Sequence, residues 1–568
     1  MDHPAASRRM FLSYLGLAGG LGTGVLGLER QARAQGAAAS PPPLDADALA
    51  AAERVVGVEF TAEERAQLLR TIEEHRELIA SIRAAGPLPN DLAPMTTFQA
   101  RLPGRALRRM TTGRPVRPVA DPPPLPADDA DIAFAPLTSL AGWIARGALT
   151  SERLTSICLA RLERHNPALL CAITITRDRA LEDARRADAE IAAGRRRGPL
   201  HGIPYGLKDI IDTKGIATTW GAEPWRDRVP ERDAAVTERL RDAGAVLVAK
   251  TAVGALAYGD IWFGGTCKSP WNPSQGSSGS SAGSASGVSA GLFGFAIGTE
   301  TLGSIVSPCE RCGAAGLRPT FGRVARTGAM ALVWTMDKIG PICRSIADTA
   351  LVLDAINGAD PGDPSSVDEA FEWTTDTSVR GLRVGVDPRW LREGPYASTA
   401  GAAVEAARAE GCEIVEIAAP DVDVRPALIP LYAEAAAAFD ELTRADLDDR
   451  LSWQADEAWP NTFRRTHFLP ATDLVQADRL RRRLCEAMHD FFDRVDCVLA
   501  PPFGGNLLVL TNSSGHPCAI FRAGFDANNQ PRSMTVMGRL FDEGTILRLA
   551  SALERRLGAA DRRPPQMS

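Results

Sequence analysis

A serine becomes a nucleophile only when one group takes its proton and another receives the charge that forms on the substrate. In this 568-residue chain the segment ETLGSIVSP (300–308) offers the second of these. Ser304 sits on a small-residue turn, and Ser307-Pro308-x-Glu310 reads as a capping box with proline at the first helical position. Backbone N–H groups cluster at such a helix start and can receive a negative oxygen. On residue type alone, Ser304 is either a structural turn serine or a nucleophile. The base is not a histidine in any familiar setting. None of the seven histidines falls in a G-x-S-x-G elbow, so a Ser-His-Asp triad has little support. The remaining choice is a lysine, desolvated so that its pKa falls from about 10.4 towards neutrality. Basic residues here are nearly all arginine, which cannot give up its proton; the only lysines are Lys208, Lys214, Lys250, Lys268 and Lys338. Lys208, in GIPYGLKDIIDTKG (202–215), fits a base at the edge of an apolar strand, but taken by itself it reads as a partner for Asp209 or a surface lysine.

A second stretch bears on the same question. SQGSSGSSAGSASGVSAG (274–291) has the composition of a flexible tether. It nevertheless runs straight into Leu292–Ile297, where small residues alternate with apolar ones, and small side chains also let a backbone pack closely or approach a ligand.

Positioning these residues requires a sheet. DAAVTERLRDAG (233–244) reads as a helix capped by Asp233 and stopped by Gly244, followed by a buried strand AVLVAK (245–250). A capped helix SIADTALVLDAING (345–358), a strand GLRVGVD (381–387) and a helix–strand pair over 401–417 follow, and 420–495 is mostly helical. TSERLTSICLARLERHNP is a further helix, with Leu154, Ile157, Cys158 and Leu162 on one side. Helices alternating with continuous apolar strands give an α/β class. Ahead of this body, residues 36–129 read as a helical extension and a Pro-rich arm, DPPPLPADDAD (121–131) ending the arm. Thr61 and Glu64 form a capping box there, and Leu68, Ile72, Ile79 and Ile82 share one helix face.

Taken in order, the motifs resemble the amidase signature family. Its lysine segment is similar to GIPYGLKDIIDTKG (202–215), its serine-glycine segment to SGSSAGSASG (278–287), its nucleophile segment to ETLGSIVSP (300–308), and the segment after it to GLRPTFGRV (316–324). VTERLRDAGAVLVAKT, LTNSSGHPCAIFRAGF (510–525) and MGRLFDE (537–543) look like further family segments, so the resemblance covers residues 130–560. It implies an amidase signature fold: a mixed, twisted β-sheet covered by helices on both faces. It also implies a mechanism in which Ser304 attacks an amide carbonyl, while a second serine, held after a cis peptide bond, relays its proton to Lys208. Backbone N–H groups of Thr301, Leu302, Gly303 and Ser304 would form the oxyanion hole. The later segment aligns without a gap only if Ser280 is the relay, which leaves Ser281 as a supporting hydroxyl and Ser277 and Ser278 as approach loop. Several positions depart from the family pattern. Ser278 and Leu302 replace glycines, Ala282 stands after the serine pair, Glu300 replaces an aspartate, and Val306 replaces an arginine that would pair with Glu300.

Composition narrows the rest. Hydrophobic residues at 45%, charged residues at 24% and a net charge of −6 describe an ordinary globular chain with no nucleic-acid-binding character. Cys309 and Cys312 are the only close pair among ten scattered cysteines, too few ligands for a zinc site; no metal or other cofactor is expected. Residues 1–35 read as a twin-arginine export signal, with Arg8, Arg9, a glycine-diluted apolar stretch and an A-x-A site at 32–34. A periplasmic or secreted protein follows, not held in a membrane after cleavage, with residues 561–568 a disordered tail. The expected activity is hydrolysis of a small amide by a monomer or homodimer. The alternatives are a family member that binds ligand with little catalysis, or an amidotransferase-type subunit. The acyl pocket is expected from 258–271 and 425–470, where Trp262 and Phe263 fit either an aromatic pocket wall or core packing.

Overall fold

The computed structural model describes residues 44–56, 58–84, 122–373 and 378–567. The expected export signal and most of the Pro-rich arm lie outside the described residues, as do the side chains of Ile79 and Ile82.

Eleven strands form one mixed sheet: β1 (Ala172–Ile175), β2 (Pro204–Lys208), β3 (Val246–Thr251), β4 (Phe295–Glu300), β5 (Ala315–Arg318), β6 (Lys338–Cys343), β7 (Arg383–Val386), β8 (Glu413–Glu416), β9 (Cys497–Ala500), β10 (Cys518–Phe525) and β11 (Pro531–Gly538). Their spatial order is β1-β3-β2-β4-β6-β5-β10-β11-β9-β7-β8. Strands β3, β2 and β4 run parallel, as do β9, β7 and β8, and every other neighbouring pair is antiparallel. Strands β2, β3 and β4 are buried along their whole length, and their apolar runs end in the polar residues Lys208, Lys250-Thr251 and Thr299-Glu300. Helices cover both faces.

Local signals explain several boundaries. Ser345 accepts a hydrogen bond from Asp348 N–H and caps the helix Ile346–Ile356. The helix Ala235–Asp242 differs from expectation: its cap position is Ala234. Asp233 accepts from Lys214 N–H at 2.7 Å and pairs with Arg241 instead. Near the C-terminus, Asp561, Arg562, Pro565 and Gln566 are exposed, while Met567 is buried and its carbonyl accepts from Arg161 at 2.6 Å.

The N-terminal extension contributes α1 (Ala46–Val56) and α2 (Ala62–Ala84). The capping box at the start of α2 forms, with Thr61 N–H donating to Glu64 (2.7 Å) and Glu64 N–H to Thr61 Oγ1 (3.3 Å). Leu68 is buried with Leu49, Phe60 and Phe468, so α2 packs onto the body.

Candidate active site

The serine-rich run is not a tether. After Ser281 it becomes α3 (Ala282–Ser289), every residue of which is buried. Small side chains are required here: a Cβ on Gly283 would collide with the Cys171 carbonyl, and one on Gly287 with the Phe293 ring. The serine hydroxyls satisfy themselves against the sheet. Ser284 donates to the Ile297 carbonyl at 2.9 Å and Ser286 to the Lys268 carbonyl at 2.7 Å. The Gly279–Ser280 peptide just before α3 is cis.

Strands β2 and β4 are adjacent and parallel, so their C-terminal ends bring Lys208 and Thr299–Glu300 together. Ligand sites of parallel sheets form beyond such ends. Lys208 is fully buried, and its Nζ donates to Ser280 Oγ (2.8 Å), Ser281 Oγ (3.1 Å) and Thr299 Oγ1 (2.7 Å). No carboxylate bonds it among the described residues. Asp209, its neighbour in sequence, pairs with Lys250 at 3.3 Å and accepts from Thr219 N–H at 2.8 Å. That settles which lysine Asp209 serves. Burial without a counter-ion lowers the Lys208 pKa to about 7, against weaker raising effects of Asp337 and Glu300. Nothing in the sequence singles out Thr299; its place one residue before the acidic residue of β4 gives no cue that it completes the lysine's surroundings.

Ser304 lies on the loop between β4 and α4 (Val306–Cys312), and its carbonyl accepts from Ser281 N–H at 3.1 Å. Among the described residues no protein acceptor takes the N–H groups of Thr301, Leu302, Gly303 or Ser304. Buried N–H groups are rarely left so. Gly303 has φ of +87°, a conformation that other residues adopt only with strain.

The start of α4 corrects the expected capping box. Ser307 lies inside the helix and bonds Ser278 Oγ at 2.5 Å; Glu310 is taken by Tyr396 OH (2.7 Å) and Ser533 N–H (2.7 Å). The cap comes from Glu300, which accepts from Ile305 N–H (2.8 Å) and Val306 N–H (3.0 Å). Glu300 has a cationic partner despite Val306: Arg318 on β5 meets it at 2.6 Å, both fully buried, and Asn512 donates to it at 2.9 Å. Burial pushes the Glu300 carboxyl up, but Arg318, Val306 N–H and Asn512 outweigh it and hold the pKa at about 2.

Ser304 opens onto a cleft of about 330 Å³. Its walls include Leu302 and Leu332 beside the loop, and Leu431, Tyr432 and Trp459 from the 425–470 segment. Tyr258 also lines it. Trp262 and Phe263 do not: they pack on each other, and Trp262 Nε1 donates to the Leu170 carbonyl at 3.2 Å. The extension supplies a wall that no sequence motif announces. Arg70, Thr71 and Glu74 of α2 form part of it, opposite α5 (Trp459–Thr466). Asn461 donates to Thr71 Oγ1 at 2.8 Å, and Arg464 meets Glu64 at 2.6 Å. No histidine lines this cleft.

Comparison with known proteins identifies the family and the fold. Residues 153–547 match the Amidase family profile. A glutamyl-tRNA(Gln) amidotransferase subunit from Chloroflexus aurantiacus is 33% identical over 472 residues, covering 74% of this chain and 96% of its own. Its counterpart from Geobacter metallireducens is 33% identical over 461 residues, covering 72% and 94%. The solved structure of a peptide amidase from Stenotrophomonas maltophilia superposes with a TM-score of 0.68 at 28% identity, covering 77% of this chain and all of its own. An eleven-stranded mixed sheet sheathed by helices, with a buried lysine facing a serine pair beside a serine-bearing loop, is thus the fold of a member of the amidase family, to which this chain belongs.

Proposed function

We propose that the protein is a stand-alone amide hydrolase working through an acyl-enzyme on Ser304. The observation that carries this reading is Lys208: buried, without a carboxylate partner, and 2.8 Å from Ser280 Oγ. A lysine held near pKa 7 is in good part neutral at neutral pH and can accept a proton. In the proposed sequence Ser304 Oγ bonds to the amide carbon, its proton passes through Ser280 to Lys208, and the carbonyl oxygen becomes an oxyanion. The N–H groups of Thr301, Leu302, Gly303 and Ser304 receive that charge. The C–N bond then breaks, Lys208 returns its proton through Ser280 to the departing amine, and water hydrolyses the ester by the same route. Ser281 and Thr299 hold the lysine in place, and Glu300 fixes the loop by capping α4.

A fluorophosphonate probe followed by peptide mapping tests this. The expected adduct sits on Ser304 and is lost in Lys208→Ala; an adduct elsewhere, or none, refutes it. The relatives' names favour a second reading, membership of a transamidating complex. Amide hydrolysis by the purified chain alone argues against that reading; strict dependence on added partner proteins supports it. Arg8, Arg9 and the A-x-A site support export by the twin-arginine route, which N-terminal sequencing of the mature chain tests. Among the described residues no helix is long and apolar enough to cross a membrane.

A further inference from the structure

The charges on the cleft wall are unevenly balanced. Five charged side chains line it: Arg70 and Glu74 from α2, and Asp456, Glu457 and Arg465 from the body. Four of them cancel across the seam between extension and body. Arg70 grips Asp456 through two hydrogen bonds of 3.2 and 3.0 Å, and Arg465 meets Glu74 at 2.7 Å. Glu457 is half-buried and, among the described residues, has no hydrogen-bond or ion-pair partner. Three aromatic side chains line the same space, with the Tyr258 and Trp459 ring centroids 5.0 Å apart and Tyr432 among the other wall residues. A half-buried carboxylate left unpaired is costly, and a cation arriving with a ligand relieves that cost. The Tyr432 ring already faces the Arg465 guanidinium, 5.5 Å from its centroid, so the Tyr258 and Trp459 rings of the wall are the ones that attract the same cation. An anionic ligand would find both arginines already occupied.

We infer that this cleft takes amides carrying a positively charged group, an ammonium or guanidinium, which Glu457 and the aromatic wall receive. The inference rests on the cleft being where substrate meets Ser304. It also gives the extension a role in selectivity, since Arg70 and Glu74 neutralise Asp456 and Arg465 and leave Glu457 as the unpaired charge.

The test uses the full chain and a matched pair, 6-aminohexanamide and heptanamide, which differ by an ammonium in place of a methyl. The wild type is expected to favour the ammonium amide in kcat/KM by about 10-fold or more, and added salt should reduce that ratio. Glu457→Gln should bring the ratio towards one, and Glu457→Lys should reverse it. A wild-type ratio at or below one overturns the inference, as does a ratio that survives in Glu457→Gln. If Glu457→Gln does not fold, the wild-type ratio and its salt dependence decide. If neither amide is hydrolysed, calorimetric binding to the Ser304→Ala protein separates the two ideas. Selective binding of 6-aminohexanamide upholds the inference and faults the catalytic reading; equal or absent binding of the pair overturns the inference.

Discussion

Replacing Lys208 with methionine should abolish turnover and reshape the pH dependence of stability. The wild-type lysine has a folded-state pKa of about 7 against an ordinary value of 10.5. Between those values the unfolded chain binds a proton that the folded chain does not, so wild-type stability rises with pH across that window. The penalty of burying the lysine is complete below about pH 7 and gone above about pH 10.5. At roughly 1.4 kcal/mol per pH unit, the full change is on the order of 4–5 kcal/mol. Methionine has a similar length and does not titrate, but it leaves the Ser280, Ser281 and Thr299 oxygens without their donor. That loss is a pH-independent offset of about 1–3 kcal/mol. The informative quantity is therefore the difference between the two proteins measured by urea unfolding from pH 6 to pH 10. The wild type should gain on Lys208→Met by roughly 1.4 kcal/mol per unit above pH 7 and by nothing below pH 6. In parallel, wild-type kcat/KM should rise to a plateau through about pH 7. If the stability difference is flat across this range, Lys208 is a proton-bearing cation in the fold and the base assignment fails.

Three further substitutions probe the surroundings. Arg318→Met leaves the Glu300 carboxylate buried without its cation and should cost about 3–5 kcal/mol, read from the denaturation midpoint. Leu302→Gly removes a buried side chain from the cleft wall; it should cost roughly 2–4 kcal/mol in stability and raise kcat/KM for benzamide relative to acetamide by a few-fold. Gly279→Ala sets a methyl group against the Gly259 carbonyl, so the loop before Ser280 must shift; stability should fall by roughly 1–3 kcal/mol and the fluorophosphonate adduct on Ser304 should form more slowly.

The order of Lys208, Ser280 and Ser304 is readable in the sequence because the backbone there has little freedom to vary. A helix made only of small residues and a strand buried on both faces leave recognisable runs. What the sequence hides is pairing across the sheet. Glu300 and Arg318 meet only because β4 and β5 flank β6, and Asp209 finds Lys250 because β3 lies beside β2. Caps are legible where a side chain serves its own helix, as at Ser345 and Thr61. They mislead where a preceding strand supplies the anion, as Glu300 does for α4, or where a nearer donor claims it, as Lys214 N–H does at Asp233. The wall formed by α2 is invisible for a simpler reason: an amphipathic helix announces that one face is buried and not which distant segment covers it.

That wall has a consequence for how the chain can change. Arg464 and Arg465 are consecutive residues of α5, and both reach across to α2, to Glu64 and Glu74, while Trp459, Thr462 and Arg465 of the same helix face the cleft. One short helix thus faces two masters, and neither can be altered alone. Grafting the extension onto another member of the family would carry over half of a lock without its key. The natural unit of exchange is the extension together with residues 448–468, and mutations that retune substrate choice should arise in matched pairs, one on each side of the seam.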